Sequence, residues 1–451
     1  MTDWDALAAE AANLLARYVR IDTANPPGNE APAAAFLSDQ LRARGIAHRV
    51  YEPAPGRANL LARLPTTVPA DERQPPIILL HHMDVVTADP QRWSCDPFGG
   101  EVRDGCVWGR GTLDMKGVGI LHLLSLEHLS QHAVTRNRDV VMLAVADEEV
   151  DSANGMQWML THHAEEIVGP DPSGIVWDEG GFGLRDFFGP GVVFTVAVTE
   201  KQALWLRLVA EGDPGHGGMP DGNRANDILI RALGRIQDLS CVVRIHPVVA
   251  ATFAGVADRF SFPKSFLLRH LDRPWAVALA HGGLLAMPSI AAMVQNTICV
   301  TGLCSGEKTN VIPERADAVI DARLLPDEDP EAFIGRLRSV IADERVRIEV
   351  DQMPSPKAVS DYRGRFFEAL SEVTGRLVPG CVTVPILTPG ATDSAYLRAM
   401  GLDTFGLYPA VLTSEELAGF HGIDERVSVD NLRLGLQVVT EVLMRMCTEA
   451  D

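Results

Sequence analysis

Hydrophobic and polar positions follow two periods along this chain, and the switches between them mark its elements. Residues 4–20 place apolar side chains at helical spacing, with acids early and arginines late, which predicts an amphipathic helix ending near Arg20. The stretch IDTANPPGNE interrupts it with two prolines and a glycine. A second amphipathic helix is predicted over about Ala31–Arg44, stopped by Gly45. Strands are predicted near His48–Glu52 and Ala58–Leu64. Three apolar runs then reach polar ends: PPIILLHHMDVV, RDVVMLAVADEE and SGIVWDEGG, with a helix over about Val118–Leu129 between the first two. Unbroken apolar runs fit strands buried on both faces. In open α/β sheets, sites lie beyond the carboxyl ends of such strands.

The character changes after about Phe194. VTEKQALWLRLVAEG alternates as a strand, and a helix is predicted near Asn226–Leu239. The strands NTICVTGLCSG and DAVIDARLL, a helix over Asp329–Ala342 and the strand VRIEVDQ complete the set. Strand–helix–strand–strand–helix–strand is the ferredoxin-like order. The expectation is an α/β fold in three stretches: a first domain over 1–196, an inserted α+β domain over 197–354, and a return to the first over 355–451. An extra apolar, proline-containing segment, about Ile245–Ala292, belongs to the insertion in this reading. Within it Trp275–Val294 is the most apolar stretch, but His281, two glycines and Pro288 argue for a buried helical hairpin rather than a membrane span.

At 451 residues the chain exceeds the usual limit of a single core, consistent with two domains. Its formal charge of −20 argues against nucleic acid as a partner. Seven cysteines are scattered without a Cys-x-x-Cys pair, and the N-terminus lacks a basic region followed by an apolar one. These features point to reduced thiols and a cytoplasmic protein.

Five residues stand in settings suited to metal ligation: His82, Asp114, Glu149, Glu179 and His421. Imidazoles and carboxylates form a mixed N/O set favoured by zinc, cobalt or manganese, and no thiolate is required. His82 and Asp84 stand two apart, so on a strand both face one side and the carboxylate can hold the ring, while His81 faces the other. Asp114 sits in GRGTLDMKG, just before a helix, where its two oxygens can serve two ions or cap the helix. In the triplet Asp147-Glu148-Glu149 one carboxylate can bind metal while its neighbour acts on water. In WDEGG, Glu179 is preferred and Asp178 is second choice. No Gly-x-Ser-x-Gly occurs, and GLCSGEKT lacks the adjacent Gly-Lys of a phosphate loop.

HHMDVV, WSCDPFGG, DGCVWGRGTLDMKG, ADEEV, DEGG, GHGG, TNVIPERADAVIDAR, GATDSAY and HGIDERV occur in this order. In them the chain resembles the co-catalytic di-zinc metallopeptidases, a family of aminoacylases, glutamate carboxypeptidases, acetylornithine deacetylase and succinyl-diaminopimelate desuccinylase. The resemblance implies a mixed, mostly parallel sheet flanked by helices, with an inserted ferredoxin-like lid and dimerisation domain. It implies that His82, Asp114 and Glu179 hold one ion, that Asp114, Glu149 and His421 hold the other, and that Asp84 orients His82. Glu148 would be the general base toward a metal-bridging water, and His216 would steady the oxyanion, from the partner subunit in dimeric members. Asn310 and Arg323 would hold the substrate carbonyl and carboxylate, with Gly390, Thr392 and Asp393 shaping the pocket or backing the metals. A cis peptide is expected after Asp114. The implied reaction is cleavage of an amide or peptide bond in a small molecule or peptide with a free carboxylate, by a homodimer; with a negative charge and no span, neither nucleic acid nor membrane is expected as partner. A biosynthetic N-acyl amino acid deacylase, a dipeptidase, and more remotely a non-catalytic binding protein are the alternatives. One departure is His81, where the family has glycine.

Overall fold

The computed structural model describes residues 2–132, 135–170, 172–220, 222–239, 241–354 and 358–448. Eight strands form one sheet in the spatial order His48–Ala54, Arg57–Leu64, Val140–Val145, Ile77–His82, Ile175–Arg185, Asp403–Leu412, Val192–Glu200, Val382–Thr388. The centre is parallel, in keeping with its continuous apolar runs, while the pairings of the first two strands and those of Val192–Glu200 with Asp403–Leu412 and Ile175–Arg185 are antiparallel. Every residue of Ile77–His82 and Val140–Val145 is buried. Helices Trp4–Val19, Lys116–His132, Arg365–Leu377 and Val429–Thr448 contribute to the core on one face. A smaller core on the other face takes Met156 and Met159 from the helix Met156–Val168 and Leu397 from Ser394–Ala399.

The four strands of the insertion form a separate antiparallel sheet in the order Thr297–Ser305, Arg315–Leu324, Gln202–Glu211, Val346–Gln352. Helices Ala225–Gln237 and Pro330–Ile341 cover it with a core of their own. The order matches the ferredoxin-like expectation. Lys201 alone separates Val192–Glu200 in the large sheet from Gln202–Glu211 in the small one, so the two units share a nearly continuous strand.

The apolar segment behaves differently from its sequence reading. It packs onto the large sheet rather than onto the insertion: Val248, Val249, Phe253 and Val256 of the helix Pro247–Val256 join the main core beside Val384 of the edge strand. Thr252 Oγ1 donates to the carbonyl of Pro385 at 2.6 Å. Covering an open strand edge is the physical gain. The stretch expected as a buried hairpin forms helices Pro274–Leu285 and Pro288–Val294, but the first is largely exposed, with Leu279 at 73%. Hydrophobic composition misled the reading, because burial needs a partner surface as well as apolar side chains. Among the described residues no helix is long and apolar enough to cross a membrane.

Candidate metal centre and active site

The strand Ile77–His82 ends where its register with Val140–Val145 ends, which sets His82 beside the turn carrying Glu148 and Glu149. Asp84 lies beyond the strand. Its carboxylate accepts from the backbone N–H of Glu148 at 3.2 Å and of Glu149 at 3.1 Å, and from Asn25 Nδ2 at 2.9 Å. His82 Nδ1 bonds the backbone carbonyl of Asp84 at 2.9 Å, while the carboxylate stands 3.7 Å away. Asp84 therefore holds the ring through its main chain and the two glutamates through its side chain, a division that pattern reading did not foresee. His81 points to the opposite face as expected. Both of its ring nitrogens are buried without a partner, and its ring lies where a Cβ at Gly119 would come within 2.5 Å.

Glu179 lies within the strand Ile175–Arg185 rather than at its end. Gly180, at φ +113°, re-aims the chain there. Asp178 faces away from the ligands and accepts from Ser394 Oγ at 2.7 Å. His421 has φ +53° and Asp147 has φ +72°, left-handed conformations that non-glycine residues adopt at a cost and that concentrate at functional sites. Asp147 is an anchor. It accepts from Asn25 Nδ2 at 3.0 Å, Arg57 Nη2 at 2.8 Å and the backbone of Asn154 at 3.0 Å. The Asp114–Met115 bond is cis.

These pieces converge on Asp114. Its Oδ1 lies 3.0 Å from His82 Nε2, and its Oδ2 lies 2.7 Å from His421 Nε2. Glu179 Oε1 stands 3.3 Å from the same His82 nitrogen, and Glu149 Oε2 stands 3.4 Å from the same His421 nitrogen. Two groups with mutually close donors result, His82 with Asp114 and Glu149, and His82 with Glu148 and Glu179. The electrostatics agree with a cation site. Burial raises the carboxyls of Glu148 well above their usual range and of Glu179 to about 8, and neighbouring carboxylates add to both shifts. Burial likewise lifts Asp393 to about 8. Hydrogen bonds donated by its ring to the Asp114 and Glu149 carboxylates push His421 up to about 10. Asp114 is held below its usual range, its two imidazole hydrogen bonds overcoming burial. So many carboxylates gathered out of water are costly without positive charge, and the N/O donors present fit divalent ions.

Sequence reading missed the residue that shapes the Asp114 loop. Glu425 is fully buried and accepts from the backbone N–H groups of Gly111 at 3.0 Å, Leu113 at 2.6 Å and Asp114 at 3.2 Å. Arg110 pairs with it at 2.6 Å. Its place in HGIDERV, four positions after His421, gives no sign of these backbone partners.

A cavity of about 760 Å³ opens from the metal centre. Asp114, Glu148, Glu149, Glu179 and His421 line one part, and Arg323, Gly390 and Thr392 line another. Phe182, Leu184, Phe187, Phe188, Ile386 and Phe420 make much of the remaining wall apolar. The extra segment adds only Ser289 and Met293 to it. Thr392 is fixed by Glu200, whose Oε2 accepts from its N–H at 2.8 Å, and Glu200 in turn pairs with Arg398 at 2.8 Å. Asp393 accepts from Ser152 Oγ at 2.6 Å. His216 and Asn310 are not brought to this cavity. They sit exposed on and beside the small ribbon formed by Gly215–His216 and Val311–Ile312.

A sheet covered by helices on both faces, with two imidazoles and several carboxylates gathered around one aspartate, is the arrangement of a metallohydrolase. The chain belongs to peptidase family M20/M25/M40, whose pattern matches residues 78–445. It is 29% identical over 386 residues to the N-fatty-acyl-amino acid synthase/hydrolase PM20D1 of Xenopus tropicalis, covering 84% of this chain and 74% of that protein. Aminoacylase-1 of Sus scrofa is 28% identical over 440 residues, covering 96% of this chain and 95% of its own. The M20 family metallo-carboxypeptidase Sso-CP2 from Sulfolobus solfataricus has the same fold, with a TM-score of 0.72 at 17% identity over 96% of this chain and 98% of its own.

Proposed function

We propose that this protein cleaves the amide bond of N-acyl amino acids, or the last peptide bond of short peptides, in substrates that carry a free carboxylate. The observation that supports this most is Asp114, whose two oxygens each face a different imidazole. His82, Asp114 and Glu179 would hold one divalent ion, and Asp114, Glu149 and His421 the other, with Zn²⁺ preferred and Co²⁺ or Mn²⁺ also suited to the donors. Such ions supply Lewis acidity to the scissile carbonyl and lower the pKa of the attacking water. Glu148 takes a proton at its carboxylate and returns it to the departing amine. Asp84 positions His82, Glu148 and Glu149. Arg323, held on one side by Asp321 at 2.8 Å, receives the substrate carboxylate on the cavity side, with Gly390 and Thr392 nearby.

His216 and Asn310 are assigned to the oxyanion and substrate carbonyl of a second subunit, in a homodimer formed through the inserted domain. Their exposure outside their own cavity supports that placement. Residues 1–196 and 355–451 constitute the catalytic domain in this reading, and 197–354 the insertion, with Pro247–Val294 applied to the catalytic sheet. All seven cysteines are unpaired, which favours the cytoplasm.

The apolar wall favours a hydrophobic acyl group. Lengthening the acyl chain of an N-acyl amino acid should raise kcat/KM by roughly fourfold per buried methylene, the equivalent of about 0.8 kcal/mol, until the cavity is filled. Zinc-, cobalt- and manganese-loaded protein assayed against N-acyl amino acids and dipeptides tests this. A flat profile removes the acyl preference, and no hydrolysis in any metal form removes the function. Arg323→Ala should raise KM about tenfold to a hundredfold for substrates with a free carboxylate. The same substrates capped as amides should show no change; an equal loss on both would assign Arg323 to structure.

A further inference from the structure

We propose that the face formed by residues 258–287 docks peripherally on an anionic lipid surface, beside the mouth of the cavity. Residues 274–294 contain no Asp, Glu, Lys or Arg, in a chain that is 22% charged. The fold does not hide them. Trp275 is 46% exposed and Leu279 73% exposed, and Phe262 and Phe266 of the preceding turn and helix are 79% and 46% exposed. These aromatic rings are mutually packed, Phe262 against Phe266 and Phe266 against Trp275, with centroids 6.4 and 6.0 Å apart. Scattered apolar residues on a surface need no explanation, but a contiguous cluster marks an interaction site.

Charge identifies the occupant. Lys264, Arg269 and Arg273 are exposed in this stretch, Arg269 paired with Asp258 and Arg273 with Asp272, while Arg259 donates to the carbonyls of Val192 and Gly380. Against these four cations the stretch 257–294 has only Asp258 and Asp272. A basic border is unusual in a chain with net charge −20. Aromatic and aliphatic side chains flanked by lysine and arginine suit the boundary between headgroups and acyl chains. A second copy of the chain fits less well, because a two-fold contact would bring this positive border against itself. The expectation of no membrane partner rested on the absence of a span, which peripheral docking does not need. Ser289 and Met293, just past this face in the chain, line the cavity, so a substrate with an acyl tail could pass between the surface and the site.

The test is co-sedimentation of the metal-loaded protein with vesicles of equal phosphatidylglycerol and phosphatidylcholine, and with phosphatidylcholine alone. Binding is expected to the first, weakening as salt is raised, and at least tenfold weaker to the second. Trp275→Ser with Leu279→Ser, and separately Lys264→Glu with Arg273→Glu, should each weaken vesicle binding at least tenfold. Both should leave turnover of a short soluble substrate unchanged, which shows intact folding and keeps this test separate from that of the proposed reaction. Unaltered vesicle binding by both variants, or no binding by the parent, overturns the proposal. So does sedimentation velocity showing a dimer that these substitutions dissociate, since the face would then belong to a second copy.

Discussion

Glu148→Gln is expected to lower kcat by about 10²- to 10⁴-fold while the metal content per chain stays at the parent value. Glutamine keeps the shape of the side chain and removes only the capacity to take a proton. The surroundings should tolerate it, because the main chain at Glu148 is fixed by Asp84 rather than by the Glu148 carboxylate. Burial and the nearby Glu179, Asp393 and Glu149 already hold this carboxyl well above its usual range, and an uncharged amide relieves that crowding. The variant should therefore be at least as stable to heat as the parent. Metal analysis beside steady-state kinetics decides the matter. Turnover within tenfold of the parent would transfer the base to another residue, and parallel loss of metal would make Glu148 a ligand.

The elements that position this site were legible where one period dominated. The buried strands Ile77–His82 and Val140–Val145 announce themselves as apolar runs, and each leads directly to functional polar residues. The candidate ligands His82 and Glu149 stood out for the same reason: a histidine or acid at or just past the end of an apolar run has few structural uses. Three features were not readable. Glu179 lies inside a long strand, because a glycine with positive φ bends the chain where pattern alone suggests an end. The Pro274–Leu285 helix is apolar yet exposed, since composition reports a preference for burial but not the existence of a surface to meet it. Glu425 escaped notice because its partners are backbone N–H groups of a loop more than three hundred residues earlier, and such contacts leave no periodic trace.

Glu425 carries the second large expectation. Glu425→Ala should lower thermal stability strongly, by about 3–5 kcal/mol, because it leaves Arg110 buried with its charge unpaired. It also leaves the N–H groups of Gly111, Leu113 and Asp114 without their shared acceptor. Those amides belong to the loop that aims the Asp114 oxygens at His82 and His421, so the variant should bind metal about 10- to 100-fold more weakly. The two effects can be separated. Adding Arg110→Met removes the stranded charge and should recover much of the stability, whereas the loop amides remain unsatisfied and metal affinity should stay low. Thermal melts and metal titrations of the single and double variants distinguish the roles. If the double variant recovers both stability and affinity, the contribution of Glu425 is confined to neutralising Arg110, and the geometry of Asp114 is set by other contacts.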